Sequence, residues 1–336
     1  MVPPINRKDT LASEELAVLP PLSYGLRIPP AGKHAWKEPL NTTIEIHPES
    51  LGKLNLDAGE IRDFVVRCLN EHRRLLSRST GEVLKNAPES AVTLVSLSGL
   101  PRVCVKEFRW RGWSHALKGL LRPTQGVRTF RNGWRLQNDG IPVSVPLALV
   151  REKRLGLVGS EWVVMEAVSN ALELDRFLVK MTASEWTAEA RRGIVRMFGR
   201  FIGSMHSKGI FHSDLKTCNV LVSEDRTRAE LSEDCEDAAP GKRCGAIRFS
   251  LLDYDDVRFS SAVPPRKTIK NMVQIFLSTP VAIRATDRLR FLGEYALHVG
   301  MTRRQRREIA LEVLEASRGE KILYVSFDGD VREKWE

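Results

Sequence analysis

The chain has 336 residues, a formal net charge of +10, 42% apolar residues and 28% charged ones. That balance fits a soluble globular protein long enough for one large domain or two moderate ones. The longest apolar stretches, such as 141–150, reach about half of the roughly 20 residues a membrane crossing needs. MVPPINRKDTLASEEL at the start has no apolar core behind a basic head, so a cytoplasmic location is expected.

Residues 1–40 are proline-rich and are expected to form an extended arm. From Asp57 to Leu76, Ile61, Phe64, Val65, Cys68 and Leu69 recur at helical spacing. The β-branched runs 92–98 and 102–108 flank Gly99-Leu100-Pro101 and predict a hairpin. A basic helix is expected over Val127–Gln137, ended by Asp139-Gly140 and Pro142. Strands follow at 146–150 and 162–168, with 151–161 as the loop between them. Ile194, Phe198, Phe201, Ile202 and Met205 mark a further helix that Gly209 would cap. A loop and short strand follow, then an acidic segment at 223–246, then a strand at 248–257. The remainder reads as largely helical, with one helix capped by Thr302. These elements divide the chain into an N-terminal extension with one helix (1–75), a sheet-rich unit (76–168) and a mainly helical unit (169–336).

Charge and thiols are unevenly spread. Between Pro101 and Arg135 stand nine basic residues and one acid, Glu107. A second basic cluster comprises Arg303, Arg304, Arg306 and Arg307. Such clusters suit an anionic lipid, a phosphorylated glycan or a nucleic acid, and equally a solvated surface. Nucleic-acid binding is set aside because it leaves the motif described next unexplained. The five cysteines form no CxxC pair and read as reduced thiols; a metal or redox role stays open only for Cys235 and Cys244, nine positions apart.

His212-Ser213-Asp214-Leu215-Lys216-Thr217-Cys218-Asn219 reads H-x-D-L-K-x-x-N. Phosphoryl transfer explains this spacing. An aspartate takes the proton of an acceptor hydroxyl, a lysine two positions on neutralises the transferring phosphoryl group, and an asparagine carbonyl five positions on turns inward to hold magnesium. Read blandly, it is a polar loop between a helix and a strand. In LLDYDDV, Asp253 stands where the apolar run stops and suits a second magnesium ligand, with Asp255 and Asp256 as the other carboxylates in view. Lys106 lies on an inner strand, from which a lysine reaches nucleotide phosphates, although a lone strand lysine is more often an edge charge. VVMEAV at 163–168 resembles a hinge between lobes. There Met165 would back an adenine and Glu166, Ala167 and Val168 would edge it; plain strand core is the other reading.

Together these segments resemble the protein-kinase-like superfamily. More narrowly, they resemble the lipopolysaccharide kinase family of bacterial Kdo and heptose kinases of the WaaP type. The narrower likeness lies in GEVLKNAPESAVTLVSLSGLPRVCVKEF, RTFRNGWRLQNDGIPVSVPLALV, GIFHSDLKTCNVLV and TDRLRFLGEYAL, over roughly residues 75–300. It implies an α+β bilobal fold: a small antiparallel sheet with one helix as N-lobe, and a mainly helical C-lobe. It further implies ATP and Mg²⁺ as cofactors, Asp214 as base, Lys216 as phosphate stabiliser, Asn219 and Asp253 as metal ligands, Lys106 as the nucleotide lysine and His212 as a structural residue. The implied activity is phosphoryl transfer to a hydroxyl of a lipopolysaccharide core sugar, with peripheral contact at the inner face of the inner membrane. A protein or small-molecule kinase and a weak pseudokinase are the alternatives.

Four departures stand out, one of them the long segment between Asn219 and Asp253 that carries the acidic insert. No acid occurs in 108–138, where such kinases carry the glutamate that pairs with the strand lysine. Glu107 is adjacent to Lys106 and must point to the opposite sheet face. No G-x-G-x-x-G precedes Lys106, Gly81 being the one glycine near that place, and Asp255 replaces the glycine of D-F-G. The basic helix, with Arg128, Arg131 and Arg135, stands where the acid would be and is expected to face an anionic acceptor or to be solvated.

Overall fold

The computed structural model describes residues 42–78, 82–110, 112, 122–154, 157–183, 186–225, 246–325 and 331–335. The proline-rich arm, Cys235, Cys244 and nearly all of the acidic insert lie outside the described residues. Six strands form one antiparallel sheet in the order β1-β5-β6-β4-β3-β2. They are β1 (Thr42–Ile46), β2 (Val83–Ala87), β3 (Ser90–Val95), β4 (Val103–Phe108), β5 (Pro146–Arg154) and β6 (Leu157–Glu166). Helices α1 (Pro48–Leu54) and α2 (Ala58–Arg78) precede β2, and α3 (Gln125–Asn138) joins β4 to β5.

The period of two along each strand divides the sheet into two faces. Val103, Val105, Val150, Trp162 and Val164 point outward and pack on Ile61, Phe64, Val65, Cys68 and Leu69 of α2. Each of the larger of these buried side chains contributes about 1.5–3 kcal/mol. Asp57 starts α2 by accepting the N–H groups of Gly59 (2.7 Å) and Glu60 (2.8 Å), while the Glu60 carboxylate accepts from Asp57 N–H (2.8 Å). The inner face carries Phe108, Leu149, Val163 and Met165, packed with α3 and the second lobe. Glu107 does leave on the outer face, beside His72 (3.6 Å) and Arg109 (3.0 Å).

The second lobe contains β7 (Ala171–Glu173), α4 (Leu174–Ala183), α5 (Ala188–Ser207), β8 (Ile210–His212), β9 (Val220–Asp225), β10 (Ala246–Leu251) and β11 (Val257–Phe259). Helices α6 (Pro265–Ser278), α7 (Ala285–His298) and α8 (Arg303–Ala316) follow, then the hairpin β12 (Lys321–Val325) and β13 (Val331–Trp335). Thr302 caps α8 in a reciprocal box with Gln305. Gly209 has φ of +69°, and a Cβ there would lie 1.7 Å from the Ser260 carbonyl oxygen. Only glycine lets the turn after α5 meet β11 so closely.

Several expectations are corrected. Before residue 76 the chain supplies a strand and two helices, not one helix, and all of them join the first lobe. Most of 151–161 continues the β5–β6 hairpin past the sheet, with a register shift between Arg151 and Lys153. Residues 151–153 and 157–160 are at least partly exposed, so they lack the apolar alternation that marks a half-buried strand. The chain end forms a hairpin where helix was expected.

Candidate active site

The H-x-D-L-K-x-x-N segment runs from β8 to β9 and is held by α6. Asn271 donates to the His212 carbonyl (2.6 Å). Gln274 donates to the Ser213 carbonyl (2.9 Å) and accepts from Leu215 N–H (3.1 Å). Ser278 closes the far end by accepting from Thr217 N–H (2.9 Å). Behind Asn271 stands His206, bonded at Nε2 to the Asn271 oxygen (3.1 Å) and at Nδ1 to the Tyr295 hydroxyl (2.9 Å). Burial pushes the His206 imidazole down to about 4, so it serves as a neutral spacer.

His212 is buried and sits between the two chemical segments. Its Nε2 meets the Leu252 carbonyl (2.9 Å), and its Nδ1 accepts from Asp214 N–H (3.2 Å). Both bonds are made at once by the neutral tautomer with a proton on Nε2, and burial, the largest influence, lowers its pKa. Leu252 N–H also donates to the Asn219 carbonyl (2.9 Å). The loop and Asp253 are therefore joined by two hydrogen bonds at the residue before Asp253.

Asp214 is half exposed at the mouth of this assembly. Lys216 Nζ lies 3.1 Å from its Oδ1, and Asn219 Nδ2 donates to its carbonyl (2.8 Å) and to Oδ2 (3.2 Å). With its amide nitrogen so engaged, Asn219 keeps its side-chain oxygen as an acceptor that no other described residue engages. Asp253 has φ of +50° and ψ of 42°, a left-handed backbone at a non-glycine residue. It forms an ion pair with Lys106, descending from β4. Burial raises the Asp253 pKa, but Lys106 outweighs it and the net shift is downward, so the carboxylate is held ionised. Asp255 and Asp256 are engaged by Arg128 at 3.4 and 3.1 Å. Among the three carboxylates, Asp253 is thus the one paired with the strand lysine.

The structure links these residues as a chain of contacts: Lys106 pairs with Asp253, Leu252 beside Asp253 bonds to His212 and Asn219, and Asn219 and Lys216 meet Asp214. At 165–168, Met165 is buried, with its sulfur 3.4 Å from the Tyr254 hydroxyl oxygen. The Glu166 side chain points outward to Lys53 (3.1 Å). Glu166 N–H donates to the Val145 carbonyl (2.9 Å) and Ala167 N–H to that of Arg102 (3.2 Å). This leaves the Ala167 carbonyl and the Val168 backbone as the groups of that segment without a hydrogen bond to another described residue.

Sequence reasoning missed Lys85. Lys85, Val92 and Lys106 pair directly across β2, β3 and β4, so they share the inner face. The Lys85 charge also helps to hold Asp253 ionised. Alternation from Val83 would have sent Lys85 to the outer face; the register shift between Val83 and Lys85 turns it inward. The turn after β2 has no glycine; Arg109 pins it through the Ala87 carbonyl (2.7 Å) and Asn86 Oδ1 (2.8 Å). On the basic helix only Arg128 departs from expectation, turning inward to Asp255 and Asp256; Arg131 and Arg135 are exposed, Arg135 lying 3.8 Å over the Phe259 ring.

A model of the lipopolysaccharide kinase (Kdo/WaaP) family matches residues 77–294. The chain belongs to that family. It is 25% identical over 196 residues to the lipopolysaccharide core heptose(I) kinase WaaP of Pseudomonas aeruginosa, covering 57% of this chain and 68% of that one. It is 27% identical over 136 residues to a 3-deoxy-D-manno-octulosonic acid kinase of Haemophilus influenzae, covering 40% of this chain and 46% of that one. A solved structure of WaaP in complex with acyl carrier protein shares the fold, with a TM-score of 0.53 at 17% identity, over 82% of this chain and 98% of that one. The kinase is therefore a phosphotransferase with an alcohol acceptor, and its family implies ATP as donor. Its fold is the expected bilobal, kinase-like one.

Proposed function

We propose that this kinase transfers the γ-phosphoryl group of ATP to a hydroxyl of a lipopolysaccharide core sugar, a Kdo or a heptose. The contacts that tie Asp214 to Asn219, and Asn219 to the residue before Asp253, with Lys106 paired to Asp253, support the chemistry. Asp214 takes the acceptor's proton as its oxygen attacks the γ-phosphorus, while the bond to the bridging oxygen breaks and ADP leaves. Lys216, beside Asp214, offsets charge on the transferring group, and Lys106 with Lys85 faces the remaining phosphates. The Ala167 carbonyl and Val168 backbone edge the base, with Met165 behind it. The free oxygen of Asn219 and the ionised Asp253 are hard oxygen donors that fit Mg²⁺, which when bound neutralises phosphate charge. Purified protein given γ-labelled ATP, Mg²⁺ and core oligosaccharide is expected to label a core sugar, and EDTA to abolish labelling. Label appearing instead on protein or a simple alcohol would move the acceptor assignment, and no transfer to any acceptor would mean a pseudokinase.

The same proposal includes peripheral contact with an anionic membrane surface on the cytoplasmic side. No described helix is long and apolar enough to cross a membrane. The cations best placed for surface contact are on α8, where Arg303, Arg304 and Arg307 are exposed. Leu311 and Leu314, 57% and 52% exposed, continue that stripe. A basic residue near an anionic surface contributes about 1 kcal/mol. Replacing these three arginines by glutamine is expected to weaken binding to phosphatidylglycerol vesicles about 100-fold. Binding to neutral vesicles and turnover of a soluble acceptor should not change. Equal co-sedimentation of the two proteins with anionic vesicles would remove this face from consideration.

A further inference from the structure

The acid expected on the helix after β4 is absent, yet α3 is tied to the Asp253 segment by another set of groups. Arg128 Nε donates to the Asp255 carbonyl (3.1 Å), and its Nη2 reaches Asp255 Oδ2 (3.4 Å) and Asp256 Oδ1 (3.1 Å). Its Nη1 is anchored on the Pro123 carbonyl (3.1 Å). Asn132, one turn on, donates to the carbonyls of Tyr254 (2.9 Å) and Asp255 (3.1 Å). Gln125 adds a contact to Asp255 Oδ2 (3.3 Å). Ser213 of the catalytic loop donates to the Asp256 carbonyl (2.6 Å), so the tethered segment reaches Asp214's neighbour.

These bonds fall on the three residues that follow a left-handed aspartate. An L-residue other than glycine holds that backbone only when its surroundings over-determine it. Helix α3 is itself closely seated. A Cβ at Gly133 would lie 2.6 Å from Pro146 Cδ and 3.0 Å from the Tyr254 ring. The Tyr254 hydroxyl in turn donates to the Ser144 carbonyl (2.5 Å).

We infer that Arg128 is a positioning residue for Asp253. By gripping Asp255 and Asp256 it fixes the turn that aims the Asp253 carboxylate at Lys106 and the cleft. The helix and the metal-binding segment are thus coupled by a helix cation on loop carboxylates, not by a helix carboxylate on the strand lysine. This inference rests on the reading of Asp253 as a metal ligand.

The test uses full-length Arg128→Gln, Arg128→Lys, Asp255→Asn and the Arg128→Gln/Asp255→Asn pair. In nucleotide-free protein, hydrogen exchange of amides 254–258 is expected to quicken about tenfold or more in Arg128→Gln, with α5 unchanged. The Mg²⁺ concentration for half-maximal binding of a fluorescent ATP analogue should rise about tenfold, a loss typical of removing a group that orients a metal ligand. Lysine keeps the charge but not the fork, so Arg128→Lys should recover part of both. The double variant should be no worse than Arg128→Gln alone. Unchanged exchange at 254–258, exchange quickened alike across the whole first lobe, or an unchanged Mg²⁺ requirement would each overturn the inference. Failure of the metal-ligand reading shows separately, as normal Mg²⁺-dependent binding in Asp253→Asn while the exchange effect of Arg128→Gln persists.

Discussion

Asp214→Asn is expected to lower turnover by about 10²–10⁴, the range that a positioned general base contributes, and to leave MgATP affinity nearly unchanged. The carboxamide has the shape of the carboxylate, and its oxygen can still accept from Asn219 Nδ2, now 3.2 Å from Asp214 Oδ2. What it cannot do is take a proton from the attacking hydroxyl. The loop should keep its form, because it is secured through backbone groups of 212, 213, 215 and 217 by Asn271, Gln274 and Ser278. Initial rates and analogue binding measured on the same preparation check this. A variant that keeps more than a tenth of its turnover would remove Asp214 from the role of base.

Asp253→Asn should fail differently. It removes the ionised oxygen facing Lys106 and leaves that lysine, only 12% exposed, without its carboxylate. Charge stabilisation by a metal clamp contributes several kcal/mol, so kcat/KM is expected to fall by at least about 10³. The Mg²⁺ requirement should rise steeply, which Asp214→Asn should not cause. Titrating Mg²⁺ against turnover separates the two residues. Asp255→Asn serves as the comparison, because Asp255 is occupied by Arg128 and Gln125. If Asp255→Asn shifted the Mg²⁺ requirement as far as Asp253→Asn, the choice among the three carboxylates would have to be reopened.

The parts of this cleft that could be read in the chain are those whose geometry is local. Asp214 and Asn219 are five residues apart, and the short turn between them brings Asn219 Nδ2 to Asp214. Asp253 stood out in the sequence because the apolar strand ends just before it. The alternation of a strand was enough to send Glu107 away from Lys106. Relations across the chain were not legible in this way. Arg128 and Asp255 are 127 residues apart, and helical periodicity gives the face on which an arginine lies but not what that face will meet. Hence the basic helix suggested an external acceptor, and the partner of Lys106 stayed open until Asp253 was seen beside it. Lys85 was missed for a simpler reason. Strand β2 has five residues with a register shift inside it, too short and too irregular to announce its period.

The family pattern begins at residue 77, at the close of α2, and stops at 294. Tyr295, the next residue, props His206, which props Asn271 beneath the turn from His212 to Asn219. At the other end, α2 roofs Val103, Val105 and Val164, which would otherwise be bare to water. What is recognisable by inheritance is therefore narrower than what stands unaided. The chain on either side of the shared stretch supplies a roof at one border and a keystone at the other.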